Sequence, residues 1–188
     1  MSLQAVVIGA SAGGVQALLQ VLPVLPADFP APVLVVVHIP RRRDNALVEL
    51  LAEKCRLTVK EAEDKECPMP GTIYLAPPDY HLLVEIDGAI ALSSDEAVNY
   101  SRPSIDVLFE SAADAFGSHL AGIIMTGANH DGAQGLRAIC TAGGHGIVQT
   151  PATAEVEIMP QAALAACPDA QAMRLEDIRS ALEELVAQ

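Results

Sequence analysis

The chain has 188 residues and a formal net charge of −13 at pH 7. That length suits one domain, which we expect to span residues 1–188 around a single core. The negative charge argues against nucleic-acid binding, because neutralising phosphates requires a basic surface. No apolar run approaches the roughly 18–20 residues that span a bilayer, and no signal sequence opens the chain. We therefore expect a cytoplasmic protein without direct membrane insertion.

The cysteines and histidines indicate neither a metal site nor a cofactor. The four cysteines are widely spaced and form no metal-ligand pattern: Cys55, Cys67, Cys140 and Cys167. Without an export signal, we expect them to be buried, reduced thiols. The five histidines also lack ligand spacing.

In chain order, apolar periodicity and turn residues predict alternating strands and helices. The predicted strands lie at residues 5–8, 33–37, 57–61, 72–76, 121–125 and 146–149. The first predicted helix begins after residue 14 and is stopped by Pro23. Further helices are predicted at 45–54, 104–116, 133–141, 160–166 and 175–186. Asp87-Gly88 predicts a tight antiparallel hairpin near residues 82–93. The pattern indicates an α/β fold with a doubly wound, mostly parallel sheet.

Three polar residues come just after predicted strands. In open α/β sheets, ligands bind at these carboxyl ends of the strands. They are Ser11, His38 and Asp131. In the roles of nucleophile, base and orienting carboxylate, they would form a catalytic triad. Singly, each has an ordinary explanation: His38 as a structural histidine beside an apolar strand, Asp131 as a turn residue.

Ser11 lies in Gly-Ala-Ser-Ala-Gly at residues 9–13, a G-x-S-x-G turn that can expose a serine hydroxyl. Ser11 could instead cap the following helix, or the glycines could hold a dinucleotide phosphate. The G-x-G-x-x-G fingerprint needs glycine in place of Ser11, and the related G-x-x-x-G-x-G pattern needs it in place of Val15. The order Ser–His–Asp also differs from the Ser–Asp–His order of the α/β-hydrolases.

Five segments then match one family in order. They are Val-Ile-Gly-Ala-Ser-Ala-Gly-Gly at 7–14, Val-His-Ile-Pro at 37–40, Pro-Gly-Thr-Ile-Tyr-Leu-Ala-Pro at 70–77, Arg-Pro-Ser-Ile-Asp-Val-Leu-Phe at 102–109, and Met-Thr-Gly-Ala-Asn-His-Asp-Gly-Ala at 125–133. Together they resemble the catalytic domain of the bacterial chemotaxis protein-glutamate methylesterases, the CheB family. The resemblance covers nearly the whole chain, from residue 5 to residue 184.

The resemblance implies a serine hydrolase of chemotaxis signal transduction, a two-component system. Its expected partners are the methylated cytoplasmic helices of chemoreceptors, on which it would hydrolyse glutamyl γ-methyl esters and deamidate certain glutamines. The implied catalytic residues are Ser11, His38 and Asp131. The resemblance also assigns the backbone N–H of Ala128 to an oxyanion hole, beside Ala12.

Four positions depart from the family pattern. Ala12 replaces a threonine, Ala128 a methionine and Asn129 a glycine, and His130 precedes the aspartate. At Asn129 a positive φ would be less easy than for glycine. We expect these changes to affect rate and substrate choice more than the reaction class. The alternative is a catalytically weak module that only binds receptors or signalling proteins.

Family members typically carry an amino-terminal receiver domain that controls access to the site. This chain begins at the first strand of the hydrolase, so we expect no such domain. Three possibilities follow for this chain. It is constitutively active, it is controlled by a separate response regulator or other signalling partner, or it is a fragment of a longer protein.

Arg41, Arg42 and Arg43 form a basic run in an acidic chain, three residues after His38. It is either a solvated loop or a docking site for an acidic partner. Because receptor methylation helices are rich in glutamate, we interpret the run as substrate-binding.

Replacing all three arginines with glutamine tests the docking role. We expect a lower kcat/KM on receptor substrate with little change on a small neutral ester, since only the receptor offers an acidic surface. Parallel assays of the two substrates measure the difference, and an equal loss on both would contradict the hypothesis.

Overall fold

The computed structural model of the chain describes residues 3–39 and 46–187. Its strands are β1 (Ala5–Ala10), β2 (Val33–Val37), β3 (Thr58–Glu61), β4 (Thr72–Leu75), β5 (His81–Val84), β6 (Ile90–Ser93), β7 (Leu120–Ile124), β8 (His145–Gln149) and β9 (Gln171–Met173). Its α-helices are α1 (Gly14–Val21), α2 (Ala46–Lys54), α3 (Ile105–Phe116), α4 (Ala133–Thr141), α5 (Ile158–Ala166) and α6 (Leu175–Val186). No described helix is long and apolar enough to cross a membrane.

Seven strands form one parallel sheet in the order β3-β4-β2-β1-β7-β8-β9, and β5 pairs with β6 in a separate antiparallel sheet. β1 lies at the centre, with β2 on one side and β7 on the other. The chain therefore builds outward from β1 in both directions, which confirms the predicted doubly wound fold. The carboxyl ends of β1, β2 and β7 meet at one edge, where ligands bind in this architecture.

Two apolar cores cover the two faces of the sheet. The all-buried strand β2 shows the division: Val33, Val35 and Val37 face one core, and Leu34 and Val36 face the other. Helices α1, α2 and α6 contribute to the first core, whereas α3, α4, α5 and the β5–β6 hairpin contribute to the second. A strand buried on both faces has no polar alternation, which explains the continuous apolar run in the sequence.

The hairpin was predicted correctly, but its turn was not. The N–H of Gly88 donates to the carbonyl of Glu85 at 2.8 Å, and the N–H of Glu85 donates to the carbonyl of Ala89 at 2.8 Å. Three residues, 86–88, therefore lie in the loop, and Gly88 adopts φ +87°. A glycine in the left-handed region is the usual third residue of such a loop, so Asp-Gly here marks a three-residue turn rather than a two-residue one.

Three further sequence expectations were wrong. Cys67 is exposed and Cys55 only half-buried, although all four cysteines were expected to be buried. β9 was not predicted, because the short edge strand Gln-Ala-Met lacks a β-branched apolar pattern. Cys140, on α4, and Cys167, after α5, form a disulfide rather than two reduced thiols. The two residues are 27 positions apart, and that spacing carries no signal of pairing.

α3 and α4 pack closely at Gly135, where there is no room for a side chain. A Cβ there would collide with the Cβ of Phe109 and lie 3.2 Å from the Cα of Asp106. Both obstructing atoms belong to or adjoin the α3 backbone, so a local side-chain adjustment cannot make room.

We expect Gly135→Ala to lower the free energy of unfolding by about 1–3 kcal/mol, since overpacking outweighs the gain of about 1 kcal/mol in helix propensity. Urea denaturation measures the change. Gln134→Ala, at the adjacent exposed position of α4, is the matched control and should change stability little. A Gly135→Ala protein as stable as this control would show that α3 and α4 can separate freely.

Candidate active site

The central strands place Ser11 and His38 side by side. Ala10 at the end of β1 pairs with Val37 at the end of β2, so the residues that follow the two strands are neighbours. The N–H of His38 donates to the carbonyl of Ala10 at 3.0 Å. On the other side of β1, the N–H of Ser11 donates to the carbonyl of Thr126, just past β7, at 2.9 Å.

His38 makes a direct hydrogen bond to Asp131. Its Nε2 lies 2.9 Å from Oδ2 of the carboxylate, and the side chains are 13 % and 0 % exposed. An ionised carboxylate only accepts hydrogen bonds, so Nε2 carries a proton. In the neutral imidazole, Nδ1 then keeps its lone pair. In serine hydrolases the orienting carboxylate holds one ring nitrogen and the other ring nitrogen takes the proton of the nucleophile. Here Nδ1 is the nitrogen available for that step.

The carboxylate of Asp131 also closes the N-terminus of α3. Its Oδ2 accepts the N–H of Ile105 at 2.6 Å, and its Oδ1 accepts the N–H of Asp106 at 3.1 Å. Ser104 occupies the N-cap position of α3, but its hydroxyl donates to Asp131 Oδ1 at 2.8 Å instead of capping its own helix. A buried anion at a helix N-terminus is stabilised both by the free N–H groups and by the helix dipole.

Asn99 supplies the fifth donor to Asp131. Its Nδ2 lies 2.8 Å from Asp131 Oδ1 and 2.7 Å from Asp106 Oδ2, so one amide group bridges two buried carboxylates. Asp106 also accepts the N–H of Gly135 at 2.7 Å through Oδ1. Each carboxylate is thus held by donors that offset the repulsion between them.

The pKa values of the two carboxylates are shifted in opposite directions. Burial raises the pKa of Asp131, but hydrogen bonds from His38, Asn99, Ile105 and Asp106 outweigh it, and the net pKa is lowered. Burial raises the pKa of Asp106, and the neighbouring charge of Asp131 adds to that shift against the hydrogen bond from Gly135. The carboxylate that holds His38 is therefore the one that stays ionised most readily.

Thr126 fixes the backbone around Ser11. Its hydroxyl donates to the carbonyl of Ala12 at 2.8 Å and accepts the N–H of Val156 at 2.9 Å. Among the residues that the structure describes, none accepts a hydrogen bond from the N–H of Ala12 or of Ala128. These N–H groups belong to the turns that follow β1 and β7, at the edge where Ser11 and His38 lie.

Asn129 stands beside the ring of His38. Its Oδ1 accepts the N–H of Asp131 at 3.1 Å, and its Nδ2 lies 3.4 Å from His38 Nδ1. Its φ is not positive, so the backbone difficulty expected for a non-glycine residue here does not arise. The left-handed residue of this loop is Gly132, with φ +95°, which turns the chain into α4 directly after Asp131.

The structure thus brings five of the eight residues singled out from the sequence to one edge of the sheet: Ser11, Ala12, His38, Ala128 and Asp131. Arg41, Arg42 and Arg43 lie outside the described residues. Sequence reasoning missed Asn99, Thr126 and the contact of Asn129 with His38. Asn99 gave no signal, because it lies in an exposed turn that reads as an ordinary loop.

Asp131→Asn tests the carboxylate network through stability. At neutral pH we expect a loss of about 2–4 kcal/mol in the free energy of unfolding, since an amide oxygen cannot satisfy five donors. The folded pKa of Asp131 is lowered, so its contribution is complete above the unfolded pKa of about 4 and is lost as the pH falls through the lower folded value.

The difference between wild type and Asp131→Asn should therefore shrink below about pH 4. Urea denaturation between pH 7 and pH 2.5 measures it. Asp114→Asn, an exposed position on α3, serves as control and should change stability little at any pH. A difference that does not vary with pH would contradict the network.

Comparison with known proteins places these features in a family. The CheB methylesterase family model matches residues 6–182. The crystal structure of the Thermotoga maritima CheB methylesterase catalytic domain superposes with a TM-score of 0.93 and 35 % sequence identity, covering 99 % of this chain and 100 % of that one.

Named relatives agree with the match to this family model. A Leptospira interrogans protein provisionally named protein-glutamate methylesterase/protein-glutamine glutaminase is 47 % identical over 178 residues, which are 95 % of this chain and 92 % of that protein. The protein-glutamate methylesterase/protein-glutamine glutaminase of Bordetella parapertussis is 42 % identical over 92 % of this chain and 50 % of its own length. The chain thus spans nearly all of the first relative and about half of the second. It belongs to the CheB methylesterase family.

Proposed function

We propose that this chain hydrolyses the γ-methyl esters of glutamate residues on chemoreceptor cytoplasmic helices through a Ser11–His38–Asp131 triad. The observation that carries the proposal is the partly buried His38–Asp131 hydrogen bond of 2.9 Å, since His38 follows the strand that pairs with the strand before Ser11. The names of the relatives supply the substrate class, since they combine methylesterase with glutaminase activity.

In the first half of the reaction, Ser11 Oγ attacks the ester carbonyl while His38 Nδ1 takes the hydroxyl proton. Asp131 stabilises the resulting imidazolium through Nε2. The tetrahedral intermediate then collapses, the C–O bond to the methoxy group breaks, and His38 returns the proton so that methanol leaves. An acyl-enzyme on Ser11 remains.

In the second half, a water molecule attacks the acyl carbonyl and His38 Nδ1 takes one of its protons. Collapse breaks the bond to Ser11, which recovers its proton from His38. The glutamic acid product then releases its remaining proton to solvent and becomes the carboxylate. A glutamine side chain enters the same route with ammonia as the leaving group, which accounts for the second activity in the relatives' names.

The backbone N–H groups of Ala12 and Ala128 are the proposed oxyanion donors. No described residue accepts a hydrogen bond from either N–H group, and both residues follow strands that end at this edge of the sheet. The peptide plane that carries the Ala12 N–H is restrained at its other end, because the carbonyl of Ser11 accepts the N–H of Gly14 at 2.7 Å. A preorganised donor is worth about 10²–10³ in kcat in related chemistry.

The test is methanol release from methylated chemoreceptor by wild type and by Ser11→Ala. We expect Ser11→Ala to lose at least about a thousandfold in rate, because the acyl-enzyme cannot form. Ser94→Ala, an exposed serine before the Val98–Ser101 turn, is the matched control and should retain the wild-type rate.

A folded wild type that releases no methanol, and whose Ser11 does not react with a fluorophosphonate, would contradict the proposal. That outcome would favour a module that only binds the receptor or a signalling protein. Reaction of Ser11 without methanol release would retain the serine hydrolase and reject the receptor ester as its substrate.

A further inference from the structure

The side chain of Asn129 faces the one ring nitrogen of His38 that Asp131 leaves uncovered. Its Nδ2 lies 3.4 Å from His38 Nδ1, at the outer limit of a hydrogen bond. The mechanism above uses this same nitrogen to take the Ser11 proton. A side chain at this position therefore bears directly on how Ser11 is activated.

The hydrogen bonds around Asn129 determine which way its amide points. The Oδ1 atom accepts the backbone N–H of Asp131 at 3.1 Å, and a backbone N–H only donates. The oxygen therefore faces Asp131, which leaves the NH₂ group to face His38. The reverse orientation would set two donors against each other at Asp131.

The state of His38 agrees with that orientation. Because Nε2 donates to the ionised Asp131, the neutral imidazole carries its lone pair at Nδ1. An amide NH₂ group beside this lone pair can only donate to it. Asp131 and Asn129 thus hold opposite edges of one imidazole ring, and each contact requires the same tautomer.

We infer that Asn129 is a positioning residue that covers the basic nitrogen of His38 in the resting site and must be displaced before Ser11 can transfer its proton. This inference rests on the proposed function, since it assigns the base role to Nδ1. The long distance between Asn129 Nδ2 and His38 Nδ1 indicates a weak contact, which the Ser11 hydroxyl can displace. Because the amide must first move away, attack by Ser11 is slower. The Asn129 amide therefore restrains the nucleophile instead of activating it.

Two variants separate the amide donor from the turn that Asn129 forms. Asn129→Gly removes both the contact with His38 and the acceptor for the Asp131 N–H. Asn129→Ser keeps a hydroxyl that can accept the Asp131 N–H, but its shorter side chain cannot replace the amide at His38. We expect both variants to react with a fluorophosphonate at Ser11 about two- to tenfold faster than wild type.

A spectroscopic measurement tests the contact without any catalysis. In protein with ¹⁵N-labelled histidine, Asn129→Ser should move the Nδ1 resonance of His38 and leave the protonated Nε2 resonance nearly unchanged. A merely structural role of Asn129 in the loop would move both resonances or neither. An unchanged Nδ1 resonance would overturn the inference.

The kinetic outcomes distinguish failure of this inference from failure of the proposed function. Labelling rates equal to or below the wild-type rate in both variants, with methanol release from the receptor intact, would reject the role of Asn129 alone. Faster labelling without methanol release would retain Asn129 and reject the receptor ester. An unreactive Ser11 in all three proteins would reject both.

Discussion

The buried carboxylate of Asp131 is the point on which the site depends. It receives hydrogen bonds from three separate parts of the chain: the ring of His38 after β2, the first turn of α3, and Asn99 in the loop before that helix. An uncompensated charge at this depth would be costly, and it is acceptable here because five donors surround it. The orientation of the His38 imidazole is therefore linked to the packing of α3 against the sheet.

The parallel sheet positions the other residues of the candidate site. Because β1, β2 and β7 are adjacent and parallel, the residues that follow them emerge at one edge without any long loop to position them. The backbone of Ser11 is then fixed by the carbonyl of Thr126, and that of Ala12 by the hydroxyl of the same residue. Rigid strands thus bring the candidate nucleophile and base together.

Periodicity, glycine-rich turns and polar residues at strand ends were sufficient to predict the fold class, most elements and the meeting of Ser11, His38 and Asp131 at one edge. What they missed depends on tertiary contacts. The disulfide between Cys140 and Cys167 joins α4 to the end of α5, and Asn99 reaches two carboxylates from an exposed turn. The hydroxyl of Ser104 binds Asp131 instead of its own helix, because a stronger, charged acceptor lies within reach.

The exposed turn that contains Asn99 links a surface fluctuation to the interior. Val98 and Ser101 exchange two backbone hydrogen bonds around Asn99 and Tyr100, both at positive φ, and the side chain of Tyr100 is fully exposed. Such a turn opens locally at a small fraction of the free energy of global unfolding. Each opening would withdraw one donor from Asp131 and admit water to two buried carboxylates. The hydration of these two carboxylates would then follow the stability of a four-residue turn rather than that of the core.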